Sequence, residues 1–215
     1  MATSVRSHAI LFDSIHLVTG NAGGAFGTCF VVSVQQKSSR VVTCRHVIAQ
    51  LETEGVAPKV AGVPATLLTA ADSEVDLAVL EVPVELGKPL RLRSKERAGI
   101  PVVALGFQRG ASTHTLRPVC GTLSGAVTLA RSEASSSQPG YRAWDIKVDG
   151  DGRLEEGYSG SPVFDDRDDN VLGVVLMKQG SGGVALSIHH LEDLGATEPG
   201  LVRAPIPNVL TVIQS

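Results

Sequence analysis

Three residues in this 215-residue chain could do chemistry together: a histidine, an aspartate and a serine, each set where a strand-like run begins or ends. His46 stands in RVVTCRHVIAQL, where a β-branched run closes in a short polar turn and a weak helical pattern starts. Asp76 stands in AADSEVDLAVLEVP, at the head of an apolar run, where a buried carboxylate is costly unless it is hydrogen-bonded or paired. Ser159 stands in GYSGSPVFD between Gly157 and Gly160. Glycines there permit a tight turn that exposes a hydroxyl while neighbouring backbone N–H groups converge on one point, as an oxyanion hole requires. A serine hydroxyl is a weak nucleophile until a base takes its proton, and the base needs a carboxylate to fix its tautomer. His46, Asp76 and Ser159 supply those three roles, with the N–H groups of Gly157 and Ser159 as the oxyanion donors. Taken singly, each has a plainer reading: a structural histidine, a solvent-facing loop aspartate, a Gly-Ser turn before a strand.

The surroundings of the three carry a family resemblance. GTCFVVS followed by RVVTCRHV is similar to paired GTGFVV and VVTAAHV strands, VDLAVLEV to an Asp-bearing DLAVL strand, and GYSGSPV to a GxSGGPV nucleophile loop. VVALGFQRGASTHTLRPVCGTLSG and VLGVVLMKQGSGGVALSI resemble the strands that open the second barrel and flank the specificity pocket. From Phe26 to Leu191 the chain thus resembles the chymotrypsin/trypsin-like serine proteases of clan PA, closest in style to bacterial HtrA-like and other non-secreted peptidase domains. The resemblance implies an all-β fold of two antiparallel six-stranded β-barrels with minor helix and the active site in the cleft between them. Residues 1–98 would form the first barrel, with His46 and Asp76, and residues 99–215 the second, with Ser159 and a C-terminal extension. It further implies peptide-bond hydrolysis in protein substrates through an acyl-enzyme, with no metal and no cofactor. A protease-fold peptide-binding module with a silent triad is the alternative.

Against that family pattern the chain departs at four places. Tyr158 replaces the aspartate that pairs with a new amino terminus in digestive members, so zymogen cleavage is not expected. Cys44 and Arg45 stand where small residues are usual, Arg45 being expected to point outward. Val47 replaces the cysteine of a family disulfide, leaving free thiols, and Ser161 replaces the second glycine of SGGP without displacing Ser159 as nucleophile. An ungapped comparison puts Arg153 at the base of the primary pocket and Lys178 on its facing wall, with Gly183 on the second pocket strand. A one-residue gap would instead bring Glu155 or Glu156 into the pocket, so both charge preferences remain open.

These residues need a β scaffold, and the sequence has the punctuation for one. With 23 glycines and 11 prolines, short runs such as FVVSV, RVVTC, IPVVALGF and VLGVVLM read as strands between turns. KERAGIP, residues 95–101, is the expected boundary between halves, and RSEASSSQPG, residues 131–140, a polar surface excursion. The acidic turn around Asp165, Asp166, Asp168 and Asp169 reads as a solvated hairpin tip, and His189 and His190 lack a third ligand at metal spacing. The carboxyl-terminal GATEPGLVRAPIPNVLTVIQS matches no family motif.

Composition narrows the partners. Lys and Arg number 19 against 22 Asp and Glu, a net charge of −3, so no basic field suits a phosphate backbone and nucleic acid is not expected. No apolar run is long enough for a membrane span, and AILF, cut short by Asp13, is too short for a signal-peptide core. Three irregularly spaced cysteines fit a reducing, cytoplasmic setting. Control is expected from a regulatory partner or an attached effector domain.

Overall fold

The Val-rich runs become strands, and the glycines and prolines between them become their turns. The computed structural model describes residues 9–20, 24–69, 75–93, 97–111, 113–129, 140–180 and 182–191. The Ser-rich segment and the carboxyl-terminal stretch fall outside them, apart from Gly140. In chain order come α1 (Ala9–Phe12), β1 (Ile15–Thr19), β2 (Phe26–Gln35), β3 (Ser38–Thr43), α2 (Arg45–Thr53), β4 (Lys59–Val60), β5 (Val63–Pro64), β6 (Thr66–Leu67) and β7 (Ala78–Val82). Then follow β8 (Pro101–Arg109), β9 (His114–Leu129), β10 (Tyr141–Val148), β11 (Pro162–Asp165), β12 (Val171–Gln179) and β13 (Gly182–Ser187).

The first seven strands make one antiparallel sheet in the order β5-β4-β1-β2-β3-β7-β6. Its two edge strands, β5 and β6, are separated in the chain by Ala65 alone, so the sheet rolls round until its ends meet. The two edges do not pair with each other, because a single residue is too short a connection for a hairpin. The barrel expected with six strands therefore forms as seven short pieces around a seam. The last six strands close fully, in the order β10-β13-β12-β11-β8-β9, and the double-barrel fold is borne out.

β2 and β12 carry long buried runs, since both of their faces are covered. Residues 26–33 of β2 and 171–176 of β12 are buried throughout, without the alternation of a half-exposed strand. One core cluster runs from Phe30 and Leu80 of the first sheet and Ile48 and Leu51 of α2 to Leu105, Phe164, Val174 and Leu176 of the second barrel. The halves thus share apolar surface at about 25 cal/mol per Å² buried, and the cleft has a fixed floor. Trp144, Leu123, Leu154 and Tyr158 fill a second cluster inside the closed barrel.

The acidic turn is indeed the tip between β11 and β12, but Asp165 within it is buried. Arg167 grips its carboxylate through Nε and Nη2 at 2.8 and 2.7 Å. Burial would raise that carboxyl group, yet the bonds from Arg167 outweigh it and hold Asp165 below the usual range. His190 meets the Tyr141 ring edge-on at 5.3 Å between ring centres. Among the described residues no helix is long and apolar enough to cross a membrane.

Candidate active site

β3 ends at Thr43 opposite the start of β7 at Ala78, and this register sets His46 beside Asp76. His46 is the second residue of α2, where the first N–H groups of a helix have no partner within it. Asp76 supplies one: its Oδ1 accepts the His46 backbone N–H at 2.8 Å, while its Oδ2 lies 2.7 Å from Nδ1 of the ring. One carboxylate thus caps the helix and orients the imidazole, near the positive end of the helix dipole. The pair is about one-third exposed, so solvent and substrate can reach it. No other described residue hydrogen-bonds the ring, so Nε2 is not engaged by any of them.

Ser159 sits in a turn with glycine on either side in the left-handed region, Gly157 at φ +98° and Gly160 at φ +86°. A side chain at Gly157 would strike the Phe26 ring and the Phe107 carbonyl, and one at Gly160 would strike the Thr28 carbonyl. Glycine is needed at both for conformation and for space. The N–H groups of Gly157 and Ser159 have no acceptor among the described residues, as oxyanion donors should in an empty site. The Ser159 hydroxyl donates to the Leu176 carbonyl at 3.0 Å, and no hydrogen bond joins it to His46. The two walls are nonetheless close: a Cβ on Gly27 would lie 3.0 Å from the Ser159 carbonyl oxygen and 2.8 Å from Val47. Ser161, two residues on, is wholly buried with an unpartnered hydroxyl, so it cannot meet a substrate.

Thr28 of β2 ties the nucleophile turn to the first barrel. Its N–H bonds the Ser159 carbonyl at 2.9 Å, its Oγ1 donates to the Gly157 carbonyl at 2.7 Å, and the Phe107 N–H donates back to that Oγ1 at 2.9 Å. Thr43 closes the circuit by donating its hydroxyl to the Thr28 carbonyl at 2.7 Å. Thr28→Val keeps the shape but leaves the Gly157 carbonyl and the Phe107 N–H unpaired, each worth about 1–3 kcal/mol when buried. Urea unfolding should register that loss, and acylation of Ser159 should slow with it.

Tyr158 anchors the same turn from the other side. Its ring lies in the core of the second barrel, on the flat surface of Gly106, and its hydroxyl donates to the Arg117 carbonyl at 3.1 Å. Burial, assisted by Glu155, pushes the phenol up to about 12, so it stays a donor throughout the physiological range. Tyr158→Phe removes only the bond, about 1 kcal/mol, whereas Tyr158→Ala also opens a cavity at about 3–5 kcal/mol. The Phe variant should therefore fold nearly as well as the parent, and the Ala variant should lose stability steeply in the same unfolding measurement.

Of the pocket residues named from sequence, Lys178 and Gly183 are cross-strand partners on β12 and β13. Arg153 and Lys178 are exposed, and Gly183 is buried against Leu154, whose Cδ1 would collide with any side chain there. Leu154, the one apolar residue in DGRLEEG, links the Arg153 stretch to Gly183. Thr28 was missed; a hydroxyl early in the buried run FGTCFVVS was its signal. Arg45, expected to point outward, lies along α2 on Glu52 at 2.9 Å with its side chain 14% exposed. All three cysteines are free. Burial first, then the Asp76 charge, pushes the Cys44 thiol well up.

A rolled sheet and a closed barrel meeting over a histidine, an aspartate and a glycine-flanked serine define a peptidase of the trypsin type. Residues 27–174 match the trypsin-like peptidase domain, and the chain belongs to that family of serine peptidases. Among solved structures it is similar to the inactive form of a mutant of Rv3671c from M. tuberculosis H37Rv. The TM-score is 0.69 at 27% identity over 91% of this chain and 93% of that one. The active form of that protease gives a TM-score of 0.65 at 23% identity over 94% of this chain and 91% of that one. The serine endoprotease from Yersinia pestis shares the fold, at TM-score 0.64 and 15% identity over 92% of this chain and 67% of its own. No curated protein matches by sequence.

Proposed function

We propose that the chain is a serine endopeptidase that works through Ser159, His46 and Asp76. The observation that carries this reading is the double grip of Asp76 on His46, which fixes the Nδ1–H tautomer and leaves Nε2 as the base. For attack, the Ser159 hydroxyl leaves the Leu176 carbonyl and turns toward His46, a side-chain rotation that costs about one hydrogen bond. Oγ then bonds to the peptide carbonyl carbon as its proton passes to Nε2, and the oxyanion takes up the N–H groups of Gly157 and Ser159. Collapse breaks the C–N bond, His46 protonates the leaving amine, and water attacks the acyl ester by the same route. Nothing in this sequence calls for a metal or cofactor.

Tyr158 anchors the nucleophile turn on the Arg117 carbonyl, at the position where digestive members carry the aspartate that pairs with a new amino terminus, which favours control by a partner or an attached domain over zymogen cleavage. The three free thiols favour a reducing, cytoplasmic setting. A role in bacterial signalling or defence would suit a peptidase controlled in this way. One observation favours the second reading, a silent peptide-binding module: the Ser159 hydroxyl rests on Leu176. Intact mass after incubation with a fluorophosphonate probe separates the two. A single stoichiometric adduct is the expected result; a chain that takes up none while binding peptides would overturn the peptidase reading.

A further inference from the structure

Catalysis leaves one donor at the site unused. Cys44 Sγ, a His46 ring nitrogen and an Asp76 carboxylate oxygen all lie within 4.8 Å of one another. Cys44 is wholly buried, and its thiol makes one weak bond, to the Val175 carbonyl at 3.2 Å. It occupies the N-cap of α2, where Ser, Thr, Asp or Asn would add about 1 kcal/mol by bonding a helix N–H. No side-chain cap bond forms there, so capping does not account for the residue.

The three donors suit a soft cation. Points no more than 4.8 Å apart leave a position within about 2.8 Å of all of them, and zinc bonds run about 2.3 Å to sulfur and about 2.0–2.2 Å to nitrogen and oxygen. Each donor needs to shift by less than about 1 Å, and the partly exposed His46 and Asp76 give the ion a way in. Thiolate and carboxylate together balance a dication while the imidazole stays neutral, so no net charge is buried.

We propose that Cys44, His46 and Asp76 form an inhibitory site for a thiophilic divalent cation of the zinc type. On binding, the Cys44 S–H bond breaks, the sulfur–metal bond forms, and the proton leaves to solvent with no change in oxidation state. Either ring nitrogen of His46 yields the same outcome. If Nε2 binds, its lone pair is occupied; if Nδ1 binds, the ring proton moves to Nε2, which then cannot accept one. Asp76 is drawn to the metal in both cases. The inhibitory consequence rests on the function proposed above, whereas the site itself does not.

Cobalt(II) tests the site and zinc tests the consequence, both on the full chain with its thiols reduced. Cobalt should give a thiolate-to-metal charge-transfer band that survives Cys120→Ser and disappears in Cys44→Ala. Zinc should slow fluorophosphonate labelling, and Cys44→Ala should raise the half-inhibitory zinc concentration by about tenfold or more. A cobalt band that persists in Cys44→Ala, or the same zinc midpoint in that variant, overturns the proposal. If circular dichroism shows Cys44→Ala to be misfolded, Cys44→Ser, which keeps the volume, takes its place and should also weaken the band. A Cys44-dependent band on a chain that never labels would leave the site standing and sink the peptidase reading instead.

Discussion

Ser159→Ala is expected to abolish both fluorophosphonate labelling and peptide cleavage, a loss on the order of 10⁶ in kcat, while the melting temperature stays close to that of the parent. The hydroxyl makes a single bond, to the Leu176 carbonyl, and its removal costs about 1 kcal/mol of stability. Alanine leaves the turn intact, because Gly157, Gly160 and the bonds from Thr28 hold it. Ser161→Ala is the control. Its hydroxyl is buried without a partner, so alanine there removes no hydrogen bond and should leave activity in place and stability equal or better. Intact-mass labelling of both variants decides the matter: activity lost only in Ser161→Ala would overturn the assignment of the nucleophile.

Asp76→Asn should lower kcat/KM by about 10⁴ at neutral pH with the fold retained. The carboxylate satisfies two donors at once, the His46 backbone N–H and the ring Nδ1–H. An amide of the same shape has one acceptor oxygen and one NH₂ group. Whichever donor the oxygen keeps, the NH₂ faces the other. The helix N–H cannot give way, so the ring must, and it turns to the Nε2–H tautomer that cannot accept the serine proton. Nitrogen-15 shifts of the imidazole report that tautomer directly, and steady-state rates report the consequence. A rate loss under tenfold, with the ring still protonated at Nδ1, would remove Asp76 from the mechanism.

The candidate triad stood out in the sequence because each member sits near a strand end, where chemistry and strand punctuation coincide. RVVTCRH, VDLAVLEV and GYSGSPV each set a polar residue beside a strand, and the fold brings the first two together through the β3–β7 register. The charge of the specificity pocket was not legible, because counting back from Ser159 reaches Arg153 while a slip of one residue reaches an acid. The turn buries Leu154 and exposes Arg153, its neighbour in sequence. The first barrel's seam was equally hidden: Pro64 and Ala65 look like ordinary loop residues until the sheet rolls and makes them its edge. Arg45 shows a similar limit. An arginine beside a catalytic loop reads as outward until an acidic partner seven residues on, Glu52, holds it along the helix.

Thr28 belongs by position to the first sheet, yet its hydroxyl and N–H hold the turn that carries the nucleophile of the second barrel. The alignment of that turn is therefore a property of a seam between two surfaces, which the connecting chain also stitches: the Leu90 N–H bonds the Val31 carbonyl and the Arg93 N–H the Val171 carbonyl. In that sense the active site is built like the contact between two subunits that happen to share one backbone. Its failure would resemble dissociation: a slight parting of the halves would disarm the serine long before either half lost its strands.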